Sequence, residues 1–408
     1  MAKIYKRLRA EDSTTTKTLL HEAIPLTGAV VSGTYGTYKV EENVKNFSHG
    51  MFQSIYDYPY LSSSANHVMD VTVGYSSGST LSSSTNTQNG KKINIYTQMA
   101  KMLAGHSASG EIRDFDLDGD YSTTGDKMRE CIFLNFSRLL VKDEIKKGSF
   151  TLELGVSSGS GDTFLANTHP IGASYEDIST QRIKIQDVSG STEYRTNSPA
   201  GEYGFLYVTG SKHGAAGTPG AKNVALMNIS ASQQTKVGII YYQAGVVVLS
   251  CSIFQSCSTE KKPETGILSA SLSMSRELGS DLHGFASTHG MVGNATIGQF
   301  LTGVAISGCV DAVRHRIYNV SFNNTTEINS RIYFCRLSHN QFNYSTNPTY
   351  LSASKLVVKE NSTDPSVAYA TTVGLYGPRN ELLAVAKLSE PLRKDPSTEL
   401  TLRVRLDY

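Results

Sequence analysis

The sequence contains no tryptophan, and only 18% of its 408 residues carry charge. Basic and acidic residues nearly cancel, 38 against 36, leaving a formal net charge of +2. So even a balance gives no single-sign field with which to grip a phosphate backbone, and no nucleic-acid partner is expected. Cysteine is scarce and odd in number: Cys131, Cys251, Cys257, Cys309 and Cys335 follow no regular spacing. Neither a disulfide framework nor paired zinc ligands fit, and buried thiols of a protein made in a reducing cytoplasm are expected. The basic start, Lys3, Lys6, Arg7 and Arg9, is followed by no apolar run, so no secretory signal is read. The one long apolar stretch, Val237 to Phe254, is broken by Gln243, Gly245 and Ser250. Two strands turning at Gln243-Ala244-Gly245 account for it better than a membrane span.

What the chain does have is Gly, Ser, Thr, Tyr and Val, the composition of many short strands joined by Gly- and Ser-rich loops. The expected fold class is mainly β with a few short helices, as β-sandwich-like modules with insertions in a multi-lobed chain. The clearest strand is the last: Leu400, Leu402, Val404, Leu406 and Tyr408 alternate with Thr401, Arg403, Arg405 and Asp407. Before it, Thr371 to Tyr376 and Glu381 to Leu388 flank Gly377-Pro378-Arg379-Asn380, residue types that suit a tight reversal. A hairpin plus one further strand is therefore predicted at this end, tied into a sheet.

In chain order, residues 1–30 are polar and Thr-rich and read as an extended arm. Residues 31–149 read as a mixed α+β lobe, with a helix near Gly50 to Tyr56 and a long Ser/Thr/Asn loop from Ser76 to Gly90. A helix follows, with Ile93, Tyr96, Met99, Ala100 and Leu103 on one face and Gly105 as its stop. Asp126 is placed to cap a second helix into Met128–Phe133, and Asp143 to Gly148 reads as a helical turn. Residues 150–256 read as a β-rich module with strands near 182–185, 204–208, 223–229, 237–242 and 246–254. Residues 257–312 form a small-residue insertion, and 313–408 a C-terminal β module with a loop at Asn323-Asn324-Thr325-Thr326.

The sharpest local signal is Asp114-Phe115-Asp116-Leu117-Asp118-Gly119-Asp120. Carboxylates at alternate positions around a Gly turn can converge on one hard cation, which makes Asp114, Asp116, Asp118 and Asp120 the candidate ligands for calcium or magnesium. The second half of a calcium loop is missing, because the place of the closing Glu falls on Gly125. An acidic turn or a salt-bridging contact surface is the other reading of the same residues. No other cofactor is expected. Gly74-Tyr75-Ser76-Ser77-Gly78 and Gly155-Val156-Ser157-Ser158-Gly159 match the letters of a nucleophile elbow, but neither is followed by a helical pattern. The ten histidines are scattered, and Arg314-His315-Arg316 reads as a basic strand end. No enzyme is expected.

The runs Phe342 to Leu351, Thr371 to Leu388 and Leu402 to Tyr408 resemble a family of virion structural proteins of large contractile-tailed bacteriophages, the T4-like and cyanophage groups. Matching phrases recur at Lys92 to Ala100, Ile112 to Asp116, Lys146 to Leu152, Ser198 to Gly204 and Tyr241 to Gly245. The resemblance implies a baseplate (wedge) protein of the phage tail, made in the host cytoplasm and carried in the virion. The partners it implies are other tail or baseplate proteins and further copies of the chain. A neck or fibre-attachment protein is the alternative within that class; a β-rich surface adhesin or an esterase-like hydrolase is the alternative outside it.

Overall fold

A computed structural model describes residues 5–26, 43–121, 127–155, 182–212, 227–228, 236–254, 301–314, 317–345, 351–352, 355–356, 361 and 363–408. In these the chain is mainly β and antiparallel. Its strands are β1 (Ser13–Pro25), β2 (Val44–Asn46), β3 (Gln53–Tyr56), β4 (His67–Tyr75), β5 (Phe115–Asp116), β6 (Lys127–Met128), β7 (Glu130–Phe136), β8 (Glu144–Ile145), β9 (Thr151–Gly155) and β10 (Arg182–Gln186). There follow β11 (Arg195–Ser198), β12 (Gly201–Lys212), β13 (Met227–Asn228), β14 (Lys236–Tyr241), β15 (Val246–Ser250) and β16 (Ile317–Leu337). The last are β17 (Leu351–Ser352), β18 (Lys355–Leu356), β19 (Ala368–Tyr376), β20 (Leu382–Lys394) and β21 (Leu400–Asp407). The α-helices are α1 (Asn89–Leu103), α2 (Arg138–Val141) and α3 (Ile306–Arg314).

The chain divides into two compact units, His21–Thr326 and the combination of Met1–Leu20 with Glu327–Tyr408. In the larger unit the strands pair in the order β16-β9-β10-β12-β14-β15-β7-β4-β3-β2. Because β15 pairs with β7, from Val246↔Asn135 to Ser250↔Cys131, strands on both sides of residue 150 belong to one sheet. The middle of the sheet is apolar on consecutive residues: Val237 to Tyr241 and Val246 to Ser250 are all buried. Continuous burial of this kind means that both faces are covered there. Each fully buried Val, Leu or Ile contributes about 1.5–3 kcal/mol. Phe136 anchors one end of this core, with its ring 5.2 Å from Phe322 and 6.0 Å from Phe150.

Helix α1 lies directly on β4. A Cβ at Gly74 would sit 2.7 Å from the Lys92 carbonyl and 3.0 Å from the Tyr96 amide, so glycine is what lets the helix backbone approach. Its buried residues are Lys92, Ile95, Tyr96, Ala100 and Leu103. The helical spacing is as expected, but a lysine sits on the inner face. The Lys92 ammonium donates to the carbonyls of Thr87 (2.9 Å), Leu301 (2.6 Å) and Val304 (2.6 Å). It fastens the start of α1 to the segment that leads into α3, and the Gln88 side chain adds a bond from the Ile306 amide at 2.9 Å.

Several sequence expectations are corrected. The helix placed near Gly50 to Tyr56 is strand β3, whose Gln53, Ser54 and Ile55 are all buried in the sheet between β2 and β4. The helix placed over Met128–Phe133 is the end of β6 and most of β7, because consecutive buried residues there suit a covered strand as well as a helix. The turn at Asp143 to Gly148 is not helical: Glu144 and Ile145 pair with Thr325 and Asn324, and Gly148 takes φ +77°. The loop at Asn323 to Thr326 is the middle of β16, with Asn324 and Thr325 buried and the Asn324 amide donating to the Leu140 carbonyl at 2.8 Å. Val237 to Phe254 does form two strands, and among the described residues no helix is long and apolar enough to cross a membrane. Cys131, Cys251 and Cys309 are buried free thiols, and Cys335 is half-buried.

The smaller unit contains the paired strands β16 and β21, in register from Ser330↔Asp407 to Leu337↔Leu400, and the hairpin β19–β20. The hairpin reverses at Gly377-Pro378-Arg379-Asn380, closed by the Gly377 amide on the Glu381 carbonyl at 2.8 Å, with Asn380 at φ +61°. The strand expected at Leu400 to Tyr408 is present, and its alternation is seen in the half-buried Leu400, Leu402 and Leu406 around a buried Val404.

Candidate functional site

Three of the four aspartates of the acidic run are brought together. Strands β5 and β6 pair Asp116 with Lys127, and the Lys127 ammonium lies against the Asp116 carboxylate, which is wholly buried. The chain then turns twice on its own side chains: the Asp118 amide donates to Asp116 Oδ1 (3.3 Å) and the Asp120 amide to Asp118 Oδ1 (3.2 Å). Gly119 sits at φ +73°, and a Cβ there would meet the Phe205 ring at 2.9 Å and the Tyr203 hydroxyl at 3.0 Å. Asn197 donates to the Gly119 carbonyl at 3.1 Å and locks the turn from the β11 side. One oxygen from each of Asp116, Asp118 and Asp120 lies within 4.8 Å of the others, and among the described residues no other group of three such side chains is as close.

Burial pushes the Asp116 carboxyl above its usual range, and its hydrogen bond with Asp118 acts in the same direction. That same bond is the main cause that holds Asp118 below the usual range. Asp114 faces elsewhere. Its Oδ1 accepts from the Ser76 hydroxyl (2.9 Å) and the Tyr96 hydroxyl (3.2 Å), and its Oδ2 from Arg129 Nε (3.4 Å). The donor set on offer to a hard cation is thus Asp118 and Asp120, both exposed, together with an Asp116 already neutralised by lysine.

The first elbow-like run does not build a nucleophile. Ser76 is buried on Asp114, no imidazole among the described residues is bonded to it, and the next helix begins only at Asn89. The Ser/Thr loop that follows is also pinned rather than free at its start, with Ser79 buried against Glu130. The second run lies outside the described residues after Gly155, as do His315 and Arg316; Arg314 closes α3 and is buried, so it is not part of a solvated strand end.

One grouping escaped the sequence reading: Ser54, His67 and Asp70. Asp70 Oδ1 accepts from the Ser54 hydroxyl and meets His67 Nε2 at 2.8 Å. The carboxylate sits between the other two, so the imidazole is not placed to take the serine proton, and the trio ties β3 to β4. The β3–β4 register, which pairs Ser54 with Asp70, is the signal that would have found it.

The other distinctive surface is the β19–β20 ribbon. Val373 faces Ala386 and Leu375 faces Ala384 on one side; Thr372 faces Lys387 and Gly374 faces Val385 on the other. Apolar side chains stand out on it: Leu383 is 67% exposed, Val385 and Tyr369 54%, and Leu382 52%. The Tyr376 ring packs edge-on against Tyr5 at 4.8 Å. Among the described residues of this unit only Ile332, Ala368 and Val404 are buried apolar side chains, and none joins the contiguous core. A two-stranded ribbon so poorly covered is marginal in water on its own. The chain matches no protein-family model, no curated protein and no solved structure.

Proposed function

We propose that the chain is a structural component of a tailed-phage virion, a baseplate (wedge) protein of a contractile tail, whose work is to bind neighbouring tail proteins and further copies of itself. The observation that carries this reading is the β19–β20 ribbon, which exposes Tyr369, Leu382, Leu383 and Val385 in a unit with few buried apolar side chains among its described residues. Apolar surface of this kind marks a site of protein contact, and extended strands suit pairing and packing against another chain. The resemblance of Thr371 to Leu388 and Leu402 to Tyr408 to virion proteins falls on the same unit.

The test is immuno-electron microscopy of purified particles of a phage that encodes the chain, with antibody raised against it. Label confined to one level of the tail is expected. Intact particles free of label, from lysates that contain the chain, overturn the reading.

A further inference from the structure

Tyr75, Tyr96, Tyr203, Tyr241 and Tyr242 are buried in the core, but Tyr56, Tyr58 and Tyr60, three rings in close succession, lie outside it. They begin the loop that joins β3 to β4. Tyr58 is 55% exposed and Leu61 85%, with Tyr56 and Tyr60 half-buried beside them. Among the described residues none of the three hydroxyls has a hydrogen-bond partner.

The loop is fixed in place. Its neck is closed by the Asp57 amide on the Asn66 carbonyl (3.1 Å), the Asn66 amide on Asp57 Oδ1 (2.6 Å) and Asn66 Nδ2 on Asp57 Oδ2 (2.8 Å). Within it the Ser62 amide returns to the Pro59 carbonyl at 2.8 Å and the Ala65 amide to the Ser62 carbonyl at 3.2 Å. The Tyr60 ring lies 6.2 Å from Tyr56, and the His67 ring meets Tyr56 edge-on at 5.5 Å. His67 is bonded to Asp70 and Asp70 to Ser54, so the trio that ties β3 to β4 also buttresses these rings. A compact loop with its ends together needs little further ordering to bind.

Charge narrows what it can take. From Asn46 to Gly90 there is no Lys or Arg, and the two acids, Asp57 and Asp70, are already bonded. Without a cation the loop has no grip on a phosphate, a sulfate or a nucleic acid. Residues 57–66 also fall well short of the roughly 20–30 residues a side of a stable protein interface. A neutral ligand with an apolar face and a rim of hydroxyls fits what remains. A pyranose lays its C–H face on an aromatic ring, whose negative face attracts it, while its hydroxyls meet phenol, serine and amide groups. Ser62, Ser63, Ser64 and Asn66, all exposed, supply the last two.

We propose that the Asp57–Asn66 loop binds a neutral saccharide, with Tyr58 as the stacking ring and Tyr56 and Tyr60 beside it. The site lies in the larger unit and is independent of the assembly reading, which rests on the ribbon of the smaller one.

The experiment is a screen of the full chain on immobilised oligosaccharides, neutral hexose and N-acetylhexosamine chains beside sulfated ones, followed by calorimetric titration of the best neutral binder. Retention of neutral chains alone is expected, with affinity unchanged between about 0.05 M and 0.5 M salt, over which the Debye length shortens roughly threefold. Tyr58→Ala should weaken binding at least about tenfold. Tyr58→Phe keeps the ring and should stay within about threefold of the parent. Both changes are at an exposed site and should leave the circular dichroism spectrum unaltered. Leu383→Ser, on the ribbon, should bind like the parent.

Retention of no neutral chain, preference for sulfated chains, or a Tyr58→Ala variant that binds like the parent overturns the proposal. So does loss of binding in Leu383→Ser, which assigns the sugar to the ribbon. A Tyr58→Ala variant that keeps its sugar binding but drops out of virions makes the loop a protein contact instead.

Discussion

Asp187 gives the protein a pH dependence of opposite sign to that of most folded-state carboxylates. It follows β10 and is completely buried, with Oδ2 accepting the Gly148 amide at 2.7 Å and Oδ1 the Phe150 amide at 2.9 Å. Burial is the dominant cause and raises its pKa from 3.8 to about 6, against the pull of those two amides and the Tyr242 hydroxyl. Between these values the native state holds a proton that the unfolded state does not. Stability from this group is therefore greatest below pH 4, falls as pH rises from about 4 to 6, and stays low above. A shift of about two units corresponds to about 3 kcal/mol across that window.

Asp187→Asn keeps the shape and removes the titration. Its amide still accepts one of the two N–H groups but turns its own NH2 toward the other, so its stability at a single pH reflects a lost hydrogen bond as well as a lost charge. The clean readout is the difference between parent and variant across pH. Urea unfolding at intervals from pH 4 to 7.5 should show the parent losing about 3 kcal/mol relative to the variant. Parallel curves for the two proteins refute the assignment.

Two further outcomes follow from lysines bonded to buried oxygens. Lys92→Met removes an ammonium that serves three carbonyls; the orphaned acceptors outweigh the relief of an ion whose pKa burial already lowers, and a net loss of about 2–4 kcal/mol is expected. A urea midpoint equal to the parent's, or above it, would show that the clamp contributes nothing. Lys127→Met leaves the fully buried Asp116 carboxylate without its cation, at a cost of about 3–5 kcal/mol. Adding Asp116→Asn should restore most of that stability in thermal melts; two additive losses would mean that the pair is not coupled.

Period-two strands were legible wherever one face meets solvent, as at Leu400 to Asp407, and the reversal at Gly377 to Asn380 was legible from its residue types. Burial on both faces erased that signal in Glu130 to Phe136, where a run of Cys, Ile, Phe and Leu carries no period. Asn323 to Thr326 misled for the opposite reason: the residues are those of a loop, and distant partners, among them Glu144, Ile145 and the Leu140 carbonyl, make a strand of them. At the acidic run the sequence supplied the turn and its carboxylates. Which way Asp114 faces is decided by Ser76, Tyr96 and Arg129, residues up to 38 positions away. Lys92 was unreadable because backbone carbonyls, two of them more than two hundred residues away, receive it in place of a carboxylate.

The smaller unit is assembled from two stretches far apart in sequence, residues 1–20 and 327–408, and β21 finds its partner β16 across more than sixty residues. During synthesis residues 1–20 emerge early and must wait, since the strands they belong with are made some three hundred residues later. The larger unit can close while residues 327–408 are still being translated. A nascent chain therefore has a core available in its larger unit before the exposed apolar strands of the ribbon have been made.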